Sequence, residues 1–364
     1  MRAIGLMSGT SMDGLDLAMI ETDGKSVVRR VGAASVAYGE DFRARLRQSL
    51  ADAKAITVRT DRPGRLAAVE RELTELHATA VLRFMGDRAL QPSAIDVIGF
   101  HGQTVLHKPE SGLTVQIGDG PLLAQSTGID VVHDLRAADC AAGGQGAPLV
   151  PVYHRALAAR IPERPLAIVN IGGVANVTWI GRDGHLIAFD TGPGNALIDD
   201  WMMRRTGAPR DVDGALAATG VVDATALHGW LSLPYFSRLA PKSLDRNAFA
   251  VDAIAALSPA DGAATLTAFT AEGIAHAREQ FPEQPSLWII TGGGRRNRTL
   301  MSLIAARVEN AVAPAEAVHL DGDDMEAEAW AYLAVRSVRG LPITFPGTTG
   351  VAIPMTGGAL ARTP

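Results

Sequence analysis

Hydrophobic residues along this chain gather into short runs that stop at clusters of glycine, serine, threonine and aspartate. The first run, "IGLM", halts at Met7, gives way to "SGTSMDG" and resumes at Leu15. Residues 3–7 and 14–21 therefore read as two strands around a bend. "TDG" at 22–24 is a second turn, and "SVVRRVGAASVAY" continues an antiparallel meander. From Asp41 to about Leu90 the apolar spacing changes to three- and four-residue steps, which predicts helix. "DVIGF" (96–100) is a buried strand, "HGQTVLHKP" a polar loop, and "LTVQIG" (113–118) follows it. "PLLAQSTG" is a short helix ending at Gly128, before a strand in "IDVVHDL". The small-residue segment "RAADCAAGGQGAPLVP" predicts a crossing between the halves of the molecule, leading into a helix after Pro151.

Residues 165–190 then repeat the opening layout: strand, glycine bend, strand, Asp-Gly turn, strand. The repeat predicts an internal duplication. A helix starts near Asn195; "LWIITGGGRRNRTLMSLIAARV" (287–308) is strand, glycines and helix; "VHLDGDDMEAEAWAYLAVRSVRG" is a strand and a last long helix. The expected fold class is α/β in two lobes around a nucleotide cleft. One lobe is residues 1–130, which 345–364 can rejoin, and the other is residues 131–344.

At 364 residues the chain exceeds one typical core. With 47% hydrophobic and 20% charged residues it has the proportions of a soluble α/β enzyme. A net charge of −5 argues against a nucleic-acid partner. The single cysteine, Cys140, excludes an internal disulfide and a cysteine-cluster metal site, and reads as a packed residue. No run reaches the ~20 apolar residues of a membrane helix, and the N-terminal run is too short for a signal peptide. A cytoplasmic protein without a membrane partner is expected.

Three glycine bends carry the chemistry: residues 9–14, then Gly172 and Gly173, then Gly292, Gly293 and Gly294. Backbone N–H groups at such bends bind anions, and glycine lets a phosphate approach closely. Any one alone could be a tight turn; three at equivalent strand ends favour a nucleotide. The G-x-x-x-x-G-K-[ST] pattern is missing, and no G-x-G-x-x-G opens a helix after a first strand. A duplicated sheet with phosphate hairpins in both halves is instead the arrangement of actin-like and sugar kinases, with "TGGGRRN" as the adenosine loop.

In "AFDTGPGNALIDDW", Asp190 ends a strand just before a helix. It is a general base, a metal-positioning group, or simply an N-cap or turn aspartate. His101, Gln103 and Thr104 leave a buried strand and suit sugar hydroxyls; a satisfied core histidine is the alternative. Arg136 lies between Asp134 and Asp139 and is either ion-paired or held to receive a carboxylate or phosphate. Glu326 and Glu328 cannot share a helix face; a carboxylate at that helix start serves the dipole or a site.

"GLMSGTSMDGLD", "GFHGQTVLHKP", "DLRAADCAAGGQGAPLVP", "NIGGVANVT", "FDTGPGNALID", "TGGGRRN" and "EAEAWAYLA" together resemble the anhydro-N-acetylmuramic acid kinase family, over about residues 4–360. The resemblance implies a duplicated actin-like (ribonuclease H-like) sugar-kinase fold, ATP with Mg²⁺, a homodimer, and an anhydrosugar substrate whose ring is opened by water while O6 is phosphorylated. By resemblance, Asp190 is the base and Glu326 helps hold the water. The ATP site would draw on Gly9, Thr10, Ser11, Met12, Asp13, Gly14, Leu15 and Asp16, with Asp13 or Asp16 near the metal. Gly172, Gly173, Asn176, Gly292, Gly293, Gly294 and Asn297 would complete it. His101, Gln103, Thr104, Arg136 and Asn195 would contact the sugar, Arg136 near its lactyl carboxylate. The chain departs from the family pattern at Trp330, where Phe is more usual, and at Cys140; neither is expected to touch the chemistry. A kinase of another anhydrosugar such as levoglucosan, and a non-enzymatic actin- or chaperone-like ATP switch, are the alternatives.

Overall fold

The structure, a computed structural model, describes residues 1–9, 12–245, 248–322 and 324–364. In chain order the first elements are β1 (Arg2–Met7), β2 (Gly14–Thr22), β3 (Val28–Ala37), α1 (Glu40–Ala53), α2 (Leu66–Gly86), β4 (Val97–Phe100), β5 (Gln103–Lys108), β6 (Leu113–Ile117), α3 (Gly120–Thr127), β7 (Val131–His133), α4 (Ala137–Ala141) and α5 (Pro151–Ala158). Next come β8 (Leu166–Ile171), β9 (Val174–Ile180), β10 (Leu186–Pro193), α6 (Ala196–Thr206), α7 (Ala224–Leu231), α8 (Pro234–Ser237) and α9 (Pro259–His276). The chain ends with β11 (Leu287–Thr291), α10 (Arg298–Val308), β12 (Ala311–Pro314), α11 (Met325–Val338), α12 (Pro346–Thr349) and β13 (Ala359–Ala361).

Contacts divide the chain into two compact units, residues 1–159 with 324–364, and residues 160–323. The first holds a sheet in the order β13-β7-β4-β1-β2-β3, the second a sheet in the order β10-β9-β8-β11-β12. In each, three antiparallel strands come first, and two parallel strands then add to the far edge of the opening strand. The duplication and the α/β class read from the sequence are therefore present as topology, five strands matching five, with β13 added at the edge of the first sheet.

The unit boundaries differ from the expected 130 and 344. β7 pairs in parallel with β4, and α11 lies directly on the first sheet, so residues 131–159 and 324–344 belong with it. Two strand glycines make that docking possible. A Cβ on Gly5 would sit 1.9 Å from the Ala327 carbonyl oxygen, and one on Gly99 would sit 2.0 Å from that of Trp330. Only bare backbone lets the helix approach so closely.

The polar stretch after Phe100 is a strand rather than a loop: β5 pairs antiparallel with β6. Its inward positions are Gln103 and Val105, and the glutamine disguises the alternation. "VHLDG" is not a strand; β12 lies just upstream. The first core packs Ile4, Leu15, Phe42, Leu73, Phe84 and Phe100 together. In the second unit Val169, Phe189, Trp288 and Ile304 fill one layer, and Trp201, Trp230, Phe236 and Phe269 a helical cluster beside it. No described helix is long and apolar enough to cross a membrane.

Candidate active site

In the first unit the β1–β2 bend is anchored from beneath. Gly9 accepts from the Met12 N–H at 3.1 Å, and Met12 takes φ 54°. Thr10 and Ser11 lie outside the described residues. Ser8 is fully buried. It receives the Tyr38 hydroxyl at 3.0 Å and donates to Gln103 Oε1 at 2.7 Å, while Gln103 Nε2 donates to the Gly9 carbonyl at 3.2 Å. Both ends of the Gln103 amide are thus spent on the bend, which makes it a support for the hairpin. Leu15 points into the core, so only its backbone is left to a ligand. Asp13 and Asp16 are exposed, and Asp16 Oδ1 accepts from Ser35 at 2.6 Å. Gly14 opens β2.

His101 and Arg136 stand together on a tryptophan floor. His101 Nδ1 meets the Ser8 carbonyl at 3.1 Å and must carry the proton there, which leaves Nε2 to accept from Arg136 Nη2 at 3.3 Å. Burial, and then the Arg136 charge, pushes His101 down to about 3, so the ring is neutral at pH 7. Arg136 is lowered to about 10 by burial, against the raising effect of Glu326, and stays charged. The ion-pair alternative for Arg136 fails. Asp134 pairs with Arg59, and Asp139 accepts from the Gly146 N–H and the Thr349 hydroxyl, each at 2.6 Å. That leaves Arg136 Nη1 donating to the Gly146 carbonyl at 2.9 Å, and Nε buried without an acceptor among the described residues.

Trp330 lies beside two of the residues expected on the sugar. Its ring lies 4.6 Å from His101 and 5.1 Å below the Arg136 guanidinium, and its N–H donates to Met7 Sδ at 2.9 Å. Spacing in the sequence offers no hint of this, because these contacts join positions about two hundred or more residues apart. Cys140 is a packed residue as expected: burial raises its thiol to about 11. Thr104 accepts from Gln116 Nε2 at 3.2 Å. The two helix-start glutamates separate cleanly. Glu328 is buried, paired with Arg30 and bonded by the Tyr153 hydroxyl at 2.7 Å, whereas Glu326 is exposed in the first turn of α11.

In the second unit the start of α6 is stitched to the β8–β9 bend. Asn195 N–H donates to the Gly172 carbonyl at 2.7 Å, and Gly194 and Ala196 donate to that of Gly173 at 3.0 and 3.2 Å. No described acceptor takes the N–H of Gly172 or Gly173, which is the unmet-donor pattern of an anion cradle. Gly292 has φ 72°, and a Cβ there would lie 2.3 Å from Asn170 Oδ1. Asn195, expected on the sugar, lines a cavity of about 230 Å³ with Gly293, Arg296, Asn297, Arg210 and Asp211. Asn297 caps α10 through Leu300 N–H at 2.9 Å. Asn176 is in register with Asp190 across β9 and β10 and with Asn170 across β8 and β9.

Asp190 is gripped on three sides. Its N–H donates to the Lys242 carbonyl at 3.0 Å, its carbonyl accepts the Tyr235 hydroxyl at 2.5 Å, and its Oδ2 accepts the Leu244 N–H at 2.7 Å. Oδ1 has no partner among the described residues. Burial raises the carboxyl from 3.8 to about 7, against the lowering effect of the Leu244 N–H. The N-cap reading is excluded, since α6 begins beyond Asn195.

The chain matches the anhydro-N-acetylmuramic acid kinase family over residues 1–363. An anhydro-N-acetylmuramic acid kinase of Methylobacterium nodulans is 55% identical over 373 residues, covering 100% of both chains. Another, of Rhodopseudomonas palustris, is 54% identical and covers 100% of this chain and 99% of its own. Among solved structures, component A of the Acidaminococcus fermentans (R)-2-hydroxyglutaryl-CoA dehydratase superposes with a TM-score of 0.47 at 12% identity, covering 93% of this chain and 99% of that one. A kinase, this chain belongs to the anhydro-N-acetylmuramic acid kinase family.

Proposed function

We propose that this kinase uses ATP and water to convert 1,6-anhydro-N-acetylmuramic acid into N-acetylmuramic acid 6-phosphate, a step in the recycling of cell-wall sugar, as a homodimer in the cytoplasm. Family membership supports the substrate. The observation that carries the chemistry is Asp190, with one oxygen held by a backbone N–H, the other without a partner among the described residues, and a proton affinity brought near neutral pH by burial. A base poised there can take and release a proton under working conditions.

In this reading Asp190 Oδ1 accepts a proton from water as the water oxygen bonds to C1 and the C1–O6 bond breaks, as in an inverting glycosidase. O6 forms its new bond to the γ-phosphorus, so no acid is needed to protonate it, and ADP departs. ATP, carried with Mg²⁺, supplies that phosphoryl group when bound. The unmet N–H groups of Gly172 and Gly173 fit a phosphate, and the cavity at Asn195, Gly293 and Asn297 would take the nucleoside. Asp13 or Asp16 would offer a carboxylate to the metal. Neutral His101, Thr104 and charged Arg136 would receive the sugar, the spare Nε of Arg136 matching a carboxylate acceptor. Glu326 would steady the water.

The test is product analysis with ATP, 1,6-anhydro-N-acetylmuramic acid and H₂¹⁸O. Label should appear at the anomeric oxygen and phosphate at O6. An unlabelled anomeric position refutes the reading.

A further inference from the structure

Lys242 is buried, yet no carboxylate among the described residues pairs with it. Its ammonium donates to the carbonyls of Tyr235 at 3.1 Å and Phe236 at 3.3 Å, at the end of α8. It also sits 4.8 Å from the Tyr235 ring and 5.5 Å from that of Phe189, the residue before Asp190. A buried ammonium is costly when its only acceptors are neutral carbonyls, and a methionine would fill the same space. The donors are therefore what the site uses.

Residues 235–244 form a strap with Lys242 as its buckle. Each polar handle on Asp190 that has a partner finds it there: the Lys242 carbonyl, the Tyr235 hydroxyl and the Leu244 N–H. We infer that Tyr235 and Lys242 are positioning residues, closing a strap that immobilises Asp190 so that Oδ1 alone is presented to the reacting water. This rests on the proposed role of Asp190 as the base. The groups facing Asp190 are the Tyr235 hydroxyl, the Leu244 N–H and the Lys242 carbonyl; Arg238 and Glu279 act on the Lys242 ammonium.

Lys242→Met removes the buckle and keeps the bulk; Tyr235→Phe removes one handle. With saturating ATP, Lys242→Met should lower kcat about 10- to 100-fold while KM for the sugar changes less than about threefold. Its acid limb should move to higher pH, because a weakened Leu244 N–H bond no longer favours the carboxylate. Tyr235→Phe should move both in the same direction by less, and Lys242→Arg should recover part of the loss. An unmoved acid limb in folded Lys242→Met or Tyr235→Phe overturns the inference, as does a loss confined to KM. A second arm needs no sugar: the pH dependence of the stability difference between Asp190→Asn and its parent is measured with and without Lys242→Met. A changed dependence supports the strap even if the wild-type chain proves inactive on anhydrosugar, and an identical one overturns it.

Discussion

Asp190→Asn separates the charge of this residue from its shape. The asparagine amide still accepts the Leu244 N–H and still fills the volume. Only the titrating charge goes. In the native chain burial raises this carboxyl from 3.8 to about 7, so the folded state binds its proton more tightly than the unfolded state does. The resulting stabilisation is complete below the unfolded value and is lost as pH rises through about 7. At 1.36 kcal/mol per unit the full swing approaches about 4 kcal/mol, most of it between pH 4 and pH 7. Relative to the native protein, Asp190→Asn should therefore gain about 3 kcal/mol in unfolding free energy across that interval. Urea unfolding followed by tryptophan fluorescence reads the right region, because Trp179, Trp201, Trp230 and Trp288 share the second unit with Asp190. The same variant should bind nucleotide normally and lose turnover about 10³-fold. The native enzyme's kcat/KM for sugar should fall on the acid side with a midpoint near 7. A stability difference that stays flat from pH 4 to pH 7 would refute the burial argument, and an active Asp190→Asn would remove the residue from its role.

Two further substitutions probe the remaining sites. Arg136→Ala should cut kcat/KM on the muramic substrate about 100-fold and on levoglucosan by less than about threefold, since only the former has a carboxylate for the guanidinium; equal losses in parallel assays would mean that Arg136 does not read the lactyl group. Gly292→Ala forces a side chain into a left-handed position facing Asn170 Oδ1 at 2.3 Å. KM for ATP should rise at least about tenfold, with sugar KM unchanged and the circular dichroism spectrum intact; an unchanged KM for ATP would detach this loop from the nucleotide.

Local pattern by itself determined most of the strands, the glycine bends and the duplication, because alternation, turn chemistry and repeat layout are all written in residues close together; it missed β5, whose alternation Gln103 disguises. It also singled out Asp190 and Arg136, whose neighbours in the chain mark them as unusual. Tertiary structure alone decided which groups act on them. Gln103 becomes a hairpin support because Ser8 and Gly9 come to it from ninety-odd positions away. Trp330 becomes the floor beneath His101 and Arg136 only because Gly5 and Gly99 let α11 lie against the first sheet. Asp139 turns from Arg136 to Thr349, and Asp190 acquires its proton affinity from burial and its fixed orientation from a strap about fifty residues downstream. Hydrogen bonds and desolvation act over a few ångströms of space and are blind to separation along the chain, so this part of the site could be read only once the chain was folded.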